Sequence, residues 1–178
     1  MTVCIATLDP TAITARLPQL SELLHACVHD GASIGFILPF GPADSQAFWT
    51  GNVLPAVTRG VRLLLVAEFD GELAGAVQLD WDTPPNQTHR AEVRKLLVHP
   101  KFRRRGIARQ LMQAVEAQAR ALPRSLLTLD TRTDDHAEPL YRSLGYQVAG
   151  VIPGYALAPQ GGRLDATTVM YKHAVPVG

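Results

Sequence analysis

Apolar positions along the chain alternate between two periods. Val3 to Leu8 reads as a strand, and Asp9-Pro10 punctuates it. From Thr14 to His29, Leu17, Leu20, Leu24 and Cys27/Val28 recur at the three-and-four spacing of one helix face, which predicts a helix over that span. A long connection, DGASIGFILPFGP from Asp30, leads to a second helix predicted at Ala43 to Arg59. Arg62 to Phe69 and Glu72 to Trp81 are β-like runs joined by Asp70-Gly71, a tight-turn dipeptide, and form a predicted hairpin.

Past a Pro84-Pro85 loop (Asp82 to Gln87), His89 to Val98 reads as a strand with Glu92, Arg94, Leu96 and Val98 on one face and Val93, Lys95 and Leu97 on the other. A helix follows from about Gly106 to Ala121, closed by Leu122-Pro123. Then come a strand at Ser125 to Asp130, a helix at Asp135 to Leu144 ended by Gly145, and a strand at Tyr146 to Ile152. A Gly/Pro-rich loop, Pro153 to Arg163, precedes a last strand at Thr167 to Lys172. The order β-α-α-β-β-β-α-β-α-β-β predicts a mixed α/β fold, with a hairpin block ahead of a βαβ block.

Length and charge narrow the function classes. A chain of 178 residues suits one domain, here 1–178, with a sizeable core. Lys+Arg 17 against Asp+Glu 16 leaves a net charge of +1, so no global field favours nucleic acid or a membrane surface, and any anion site is local. Cys4 and Cys27 are too few for a disulfide framework, and the N-terminus lacks a leader-like pattern. No apolar run approaches the ~18 residues of a membrane span. A soluble, cytoplasmic protein is expected, as a monomer or homodimer, with no nucleic-acid or membrane partner.

The stretch VHPKFRRRGIARQLM, Val98 to Met112, marks one local anion site. A strand end followed by a helix start leaves the N–H groups of Arg104, Arg105, Gly106, Ile107 and Ala108 without helical acceptors, and the helix dipole adds positive potential there. A phosphate fits such a point; Gly106 permits close approach, and Arg103 to Arg105 add donors at the rim. A solvated charge run is the plain alternative. The Gly-Lys-Ser/Thr of a nucleotide-binding P-loop and the G-x-G-x-x-G of a dinucleotide site are both absent. His25 and His29 stand one helical turn apart, but a third ligand is missing, so no metal is expected.

Arg103-x-x-Gly106-x-Ala108, preceded by VRKLLVHP (Val93 to Pro100), resembles the acetyl-coenzyme A pyrophosphate loop of the GNAT N-acetyltransferase superfamily. EPLYRSLGY (Glu138 to Tyr146) resembles that superfamily's A-x-x-x-Y-x-x-L-G-F block. HDGASIGF (His29 to Phe36), RAEVRKLLV (Arg90 to Val98), LLTLDT (Leu126 to Thr131) and PGYALAPQGGRLDATTVMYK (Pro153 to Lys172) are similar to the tabtoxin-resistance acetyltransferase branch, whose members acetylate a small β-lactam amino-acid toxin. One departure is Thr133-Asp134-Asp135, where many members carry an Asn that contacts the cofactor.

The resemblance implies a GNAT fold, a mixed central sheet with helices on both faces in three αβα layers. It also implies acetyl-CoA as cosubstrate, a small amine as acceptor, and direct attack in a ternary complex. Leu97, Val98, His99, Arg103, Arg104, Arg105, Gly106, Ile107, Ala108, Arg109 and Tyr141 are the expected cofactor contacts. Tyr141 is the expected acid: a phenol with a reference pKa of about 10 is matched to a departing alkyl thiolate. Glu92 and Asp130 are alternative bases, on the expectation that burial raises both carboxyls toward neutrality. Ser33, Phe36, Trp81 and Tyr155 are the expected acceptor pocket. A catalytically silent acyl-CoA-binding module and a protein N-terminal or lysine acetyltransferase remain alternatives.

Overall fold

The Asp70-Gly71 turn carries φ values of +49° and +86°, as a tight hairpin requires, and joins β2 (Arg62–Phe69) to β3 (Glu72–Asp80). Around this hairpin the computed structural model, which describes residues 2–174, builds one seven-stranded sheet. The other strands are β1 (Val3–Leu8), β4 (Arg90–Val98), β5 (Leu126–Arg132), β6 (Gln147–Leu157) and β7 (Leu164–His173), in the order β1-β2-β3-β4-β5-β7-β6. Every neighbouring pair is antiparallel except β4 with β5.

Helices cover both faces, giving the expected three layers. The helix α5 (Ile107–Ala121) buries Ile107, Leu111, Met112, Val115 and Ala119 against Leu65, Val77, Leu79 and Val93. Removing each large side chain of that stripe from water contributes about 1.5–3 kcal/mol. On the opposite face α2 (Leu17–His29) packs Leu20, Leu23, Leu24 and Val28 onto Leu64, Val66 and Ala76.

Four elements depart from the sequence expectation. The first predicted helix is two, α1 (Pro10–Ala15) and α2, broken at Arg16, because Pro18 has no N–H for the Thr14 carbonyl. The second is α3 (Pro42–Phe48), a π turn at Trp49–Val53 and α4 (Leu54–Thr58); Pro55 returns no N–H to Gly51, and the Leu54 N–H reaches the Trp49 carbonyl instead. The Pro153 to Arg163 loop is largely a hairpin arm: β6 runs on to Leu157 and pairs back on β7 from Leu164.

The fourth departure concerns β4. Its pairing with β3 skips a residue, Gln78 opposite Arg94 but Ala76 opposite Leu97, and Lys95 takes φ +50°. This bulge inverts the alternation, so Val93 packs on the α5 side while Leu97 packs with α2. The single-face grouping of Glu92, Arg94, Leu96 and Val98 therefore does not hold; Leu96 and Val98 lie on the α5 side.

Candidate functional site

The parallel ladder between β4 and β5 ends after three pairs, Arg90–Leu126, Ala91–Leu127 and Glu92–Thr128. Beyond them the strands part. A cleft of about 910 Å³ opens there, lined by β4, β5, the start of α5, the 30–35 segment, α6 (Ala137–Ser143) and the β6/β7 arm.

At one end lies the α5 N-terminus. Gly106 is its N-cap with φ +74° and no side-chain cap, and Arg104 also takes a left-handed φ of +60°. Among the described residues the first return from this helix is the Gln110 N–H to the Gly106 carbonyl. Among the described residues the N–H groups of Arg104 to Arg109 have no protein acceptor. A Cβ built on Gly106 meets nothing within 4 Å, so no protein side chain crowds the cap. Helix dipole, free donors and the cationic Arg103, Arg104 and Arg109 at the cleft wall suit a diphosphate. Arg103 forms an ion pair with Asp30, and Arg109 donates to Ser143 Oγ at 2.8 Å.

Two residues expected here point elsewhere. The Arg105 guanidinium stacks over the Phe69 ring, 4.7 Å from its centroid, away from the cleft. The His99 backbone N–H donates to the Ala74 carbonyl at 2.9 Å, its ring contacts Glu22, and it does not line the cleft. Leu97, Val98, Ile107 and Ala108 do line it. Asp134 has φ +62°, a conformation Asn and Asp tolerate; it stands outside the lining, whereas Asp135 and His136 are within it.

Tyr141, Glu92 and Asp130 line the same cleft. Tyr141 is 6% exposed and lines the cleft. Burial, then the charges of Asp135 and Asp130, push its phenol well above the ordinary range, so it stays protonated but is a weaker acid than a free phenol. The match to a thiol is therefore kept only where the sulfur is desolvated alike. Glu92 and Asp130 both line the cleft, but neither is buried. The Glu92 side chain is 38% exposed with Arg94 Nε at 3.7 Å, and the exposed Asp130 accepts from Thr167 Oγ1 at 3.2 Å. The burial expected of both is absent.

Ser33 and Tyr155 also line the cleft, Tyr155 with more than half its surface exposed. Phe36 and Trp81 do not line it. Phe36 packs against Phe40 and Phe48, with ring centroids 4.8 and 5.2 Å away, and Trp81 leans on the α5-side core. Sequence reasoning missed Lys95 and Arg132. Lys95 stands in the bulge with its Nζ 5.8 Å over the Phe36 ring; burial and the neighbouring Arg94 charge lower its pKa. Arg132 pairs with Asp135 at 3.0 Å and donates to the Gly31 carbonyl at 3.2 Å. The outward register of Lys95 was concealed by the bulge, which carries no Gly or Asn to announce it.

A mixed seven-stranded sheet of this kind, with open N–H donors at a helix start beside a cleft between two parting strands, has the fold of the acyl-CoA N-acyltransferases. Residues 36–146 match the model of the acetyltransferase (GNAT) family, and the chain belongs to that family. It is 33% identical over 132 residues to an uncharacterized N-acetyltransferase from the hisH-hisA intergenic region of Azospirillum brasilense, covering 72% of this chain and 76% of that one. Among solved structures it is similar in fold to a ribosomal-protein-alanine N-acetyltransferase from Brucella melitensis, with TM-score 0.78, 22% identity and coverage of 96% and 99% of the two chains. A phosphinothricin acetyltransferase from Sinorhizobium meliloti in complex with AcCoA gives TM-score 0.79 at 18% identity, over 98% of this chain and 89% of that one. No helix among the described residues is long and apolar enough to cross a membrane, and none of their His, Cys, Asp and Glu side chains cluster as a metal site.

Proposed function

We propose that the protein transfers an acetyl group from acetyl-CoA to the amine of a small molecule, in the manner of the tabtoxin-resistance branch. The observation that carries this is continuity: the free N–H groups at the start of α5 and the Tyr141 phenol face one cleft. The α5 donors, with Arg103, Arg104 and Arg109, hold the diphosphate of the cofactor. The bound cofactor supplies an activated thioester.

Every other part belongs to the chain. Tyr141 holds a proton at Oη for the departing sulfur. Glu92 or Asp130 takes the proton of the incoming ammonium, directly or through water, so that a neutral amine attacks. Both are solvated carboxylates on the cleft wall. The 30–41 segment favours a small acceptor over a protein chain. Its Gly31 carbonyl accepts from Arg132 at the cleft wall, and the Leu38 N–H to Pro159 carbonyl bond ties the rest of the segment to the β6/β7 arm. Arg94 and Arg132 beside Glu92, Asp130 and Asp135 present both charges, as a zwitterionic acceptor requires.

The test is thiol release over a panel of amines and amino acids. Tyr141→Phe is expected to lower kcat by roughly 10²-fold or more, the usual worth of a general acid, with acetyl-CoA affinity kept. Of Glu92→Gln and Asp130→Asn, the one at the base loses its rate at neutral pH. Cofactor binding without thiol release for any amine would overturn the reading in favour of a silent acyl-CoA-binding module.

A further inference from the structure

The chain has three lysines, Lys95, Lys101 and Lys172. Two are neutralised on the spot: Lys101 Nζ lies 2.7 Å from Glu72, and Lys172 Nζ lies 2.6 Å from Glu116 and 2.7 Å from the Leu144 carbonyl. Lys95 has no carboxylate within ion-pair distance among the described residues, although it lines the cleft beside Glu92 and Arg94. Its Nζ rests on a wall of aromatic ring and glycine, near Phe36 and Gly35. The loss of water, and then the like charge of Arg94, favour its neutral form, the form with a nucleophilic lone pair.

Position matters as much as charge state. Lys95 sits three residues before Val98 on β4, the strand that leads toward the free donors of α5. Lys95, Leu97 and Val98 of β4 line the same cleft as Gly106 and Ile107 at the start of α5, so an arm anchored at the α5 donors and laid along β4 reaches the neighbourhood of Lys95. The opening of the β4/β5 ladder begins on the same stretch, after Glu92.

We infer that Lys95 is a self-acetylation site: with acetyl-CoA bound and no acceptor present, its Nζ takes the acetyl group. Nζ forms a bond to the acetyl carbonyl carbon, the carbon–sulfur bond breaks with its electron pair on sulfur, and the proton lost from nitrogen ends on sulfur. The products are an acetamide on Lys95 and coenzyme A thiol. The product is neutral and bulkier than the ammonium and stands at the acceptor end, so the reaction stops at one acetyl per chain and reduces acceptor turnover. This inference rests on acetyl-CoA occupying the cleft as proposed above.

The experiment has two arms on the whole protein. In the first, the chain is incubated with acetyl-CoA alone, binding is followed by calorimetry, and intact mass and peptide mapping locate acetyl groups. The expected result is one added acetyl on Lys95 with about one equivalent of thiol released, abolished in Lys95→Arg and slowed at least tenfold in Tyr141→Phe. In the second, without cofactor, limiting acetic anhydride at neutral pH labels Lys95 before Lys101 and Lys172. Binding of acetyl-CoA with no acetyl on Lys95, or equal labelling of all three lysines by both reagents, overturns the inference and leaves the acetyltransferase reading standing. Failure of acetyl-CoA to bind overturns both.

Discussion

Gly106 and Gly60 form a matched pair that isolates the anion site from general backbone strain. Their φ values are +74° and +71°, and a Cβ added to either meets nothing within 4 Å. Alanine at each position therefore pays the same conformational cost, roughly 1 kcal/mol for one non-glycine residue held left-handed. In a chain of this size that lowers Tm by about 2–4 °C. Neither substitution creates a clash within the protein. The sites differ in what lies next to them: Gly60 follows α4, whereas Gly106 caps the free N–H groups of α5. A methyl on Gly106 projects into the space a diphosphate would take and displaces it from at least one donor. A hydrogen bond to a charged group contributes about 1.5–3 kcal/mol, so the dissociation constant for acetyl-CoA rises at least tenfold. Thermal unfolding without ligand and calorimetric titration with acetyl-CoA measure both quantities. Equal Tm losses with a binding defect only in Gly106→Ala are expected; equal affinities in Gly60→Ala and Gly106→Ala would refute the assignment of α5 as the diphosphate site.

Three further outcomes follow from the packing. Gly75→Ala puts a methyl 2.7 Å from the Leu97 carbonyl oxygen and against Leu111 and Ile107; chemical denaturation should register a loss of about 1–3 kcal/mol, the usual cost of overpacking, whereas a stability unchanged within error would mean that β3 and β4 can separate freely. Asp80 pairs with Arg62 at 2.5 Å, both side chains about nine-tenths buried, so Asp80→Ala is expected to cost about 3–5 kcal/mol by stranding the guanidinium; the double variant with Arg62→Met, measured in the same denaturation series, should recover part of it. Burial pushes the Cys27 thiol up to about 12 and raises the Tyr141 and Tyr146 phenols. These groups hold protons in the folded chain that the unfolded chain releases, so their stabilisation is full below about pH 9 and falls as the pH climbs; Lys95, lowered instead, opposes this as a single group. Urea titrations at pH 8 and pH 10.5 should give lower stability at the higher value.

Patterns that repeat over many residues were legible in the sequence, and so were groups whose role depends on the backbone alone. The α5 stripe from Ile107 to Ala119, the Asp70-Gly71 hairpin and the free donors before Ile107 follow from period and turn chemistry. Side-chain direction at single irregular residues was hidden. Arg103, Arg104 and Arg105 are consecutive, yet the left-handed φ at Arg104 sends Arg105 to Phe69 while its neighbours stay at the cleft. His99 adjoins Val98, but its N–H is already paired with β3 through Ala74, a partner no local pattern reveals. Pro18 and Pro55 were readable breaks inside helical periods that the apolar spacing overrode.

The cleft itself arises where two rules of sheet construction lapse on the same strand. β5 keeps all seven of its residues, Leu126 to Arg132, paired with β7, so one edge of β5 is held throughout. Its other edge loses β4 after Thr128, and three residues later β4 bulges at Lys95 and changes face. Because β5 stays regularly paired with β7 while β4 is bulged against β3, the opening has one regular wall and one irregular wall. The parted edges carry N–H and C=O groups in extended backbone, which an extended polar ligand can pair with as a further strand would. The regular wall carries Asp130 and leads through Arg132 to Tyr141 on α6, whereas the irregular wall carries Glu92, Arg94 and Lys95. Tyr141 and Asp130 therefore belong to one wall of the gap and Glu92 to the other, an arrangement that an unbroken β4/β5 ladder would exclude by filling the gap with its own hydrogen bonds.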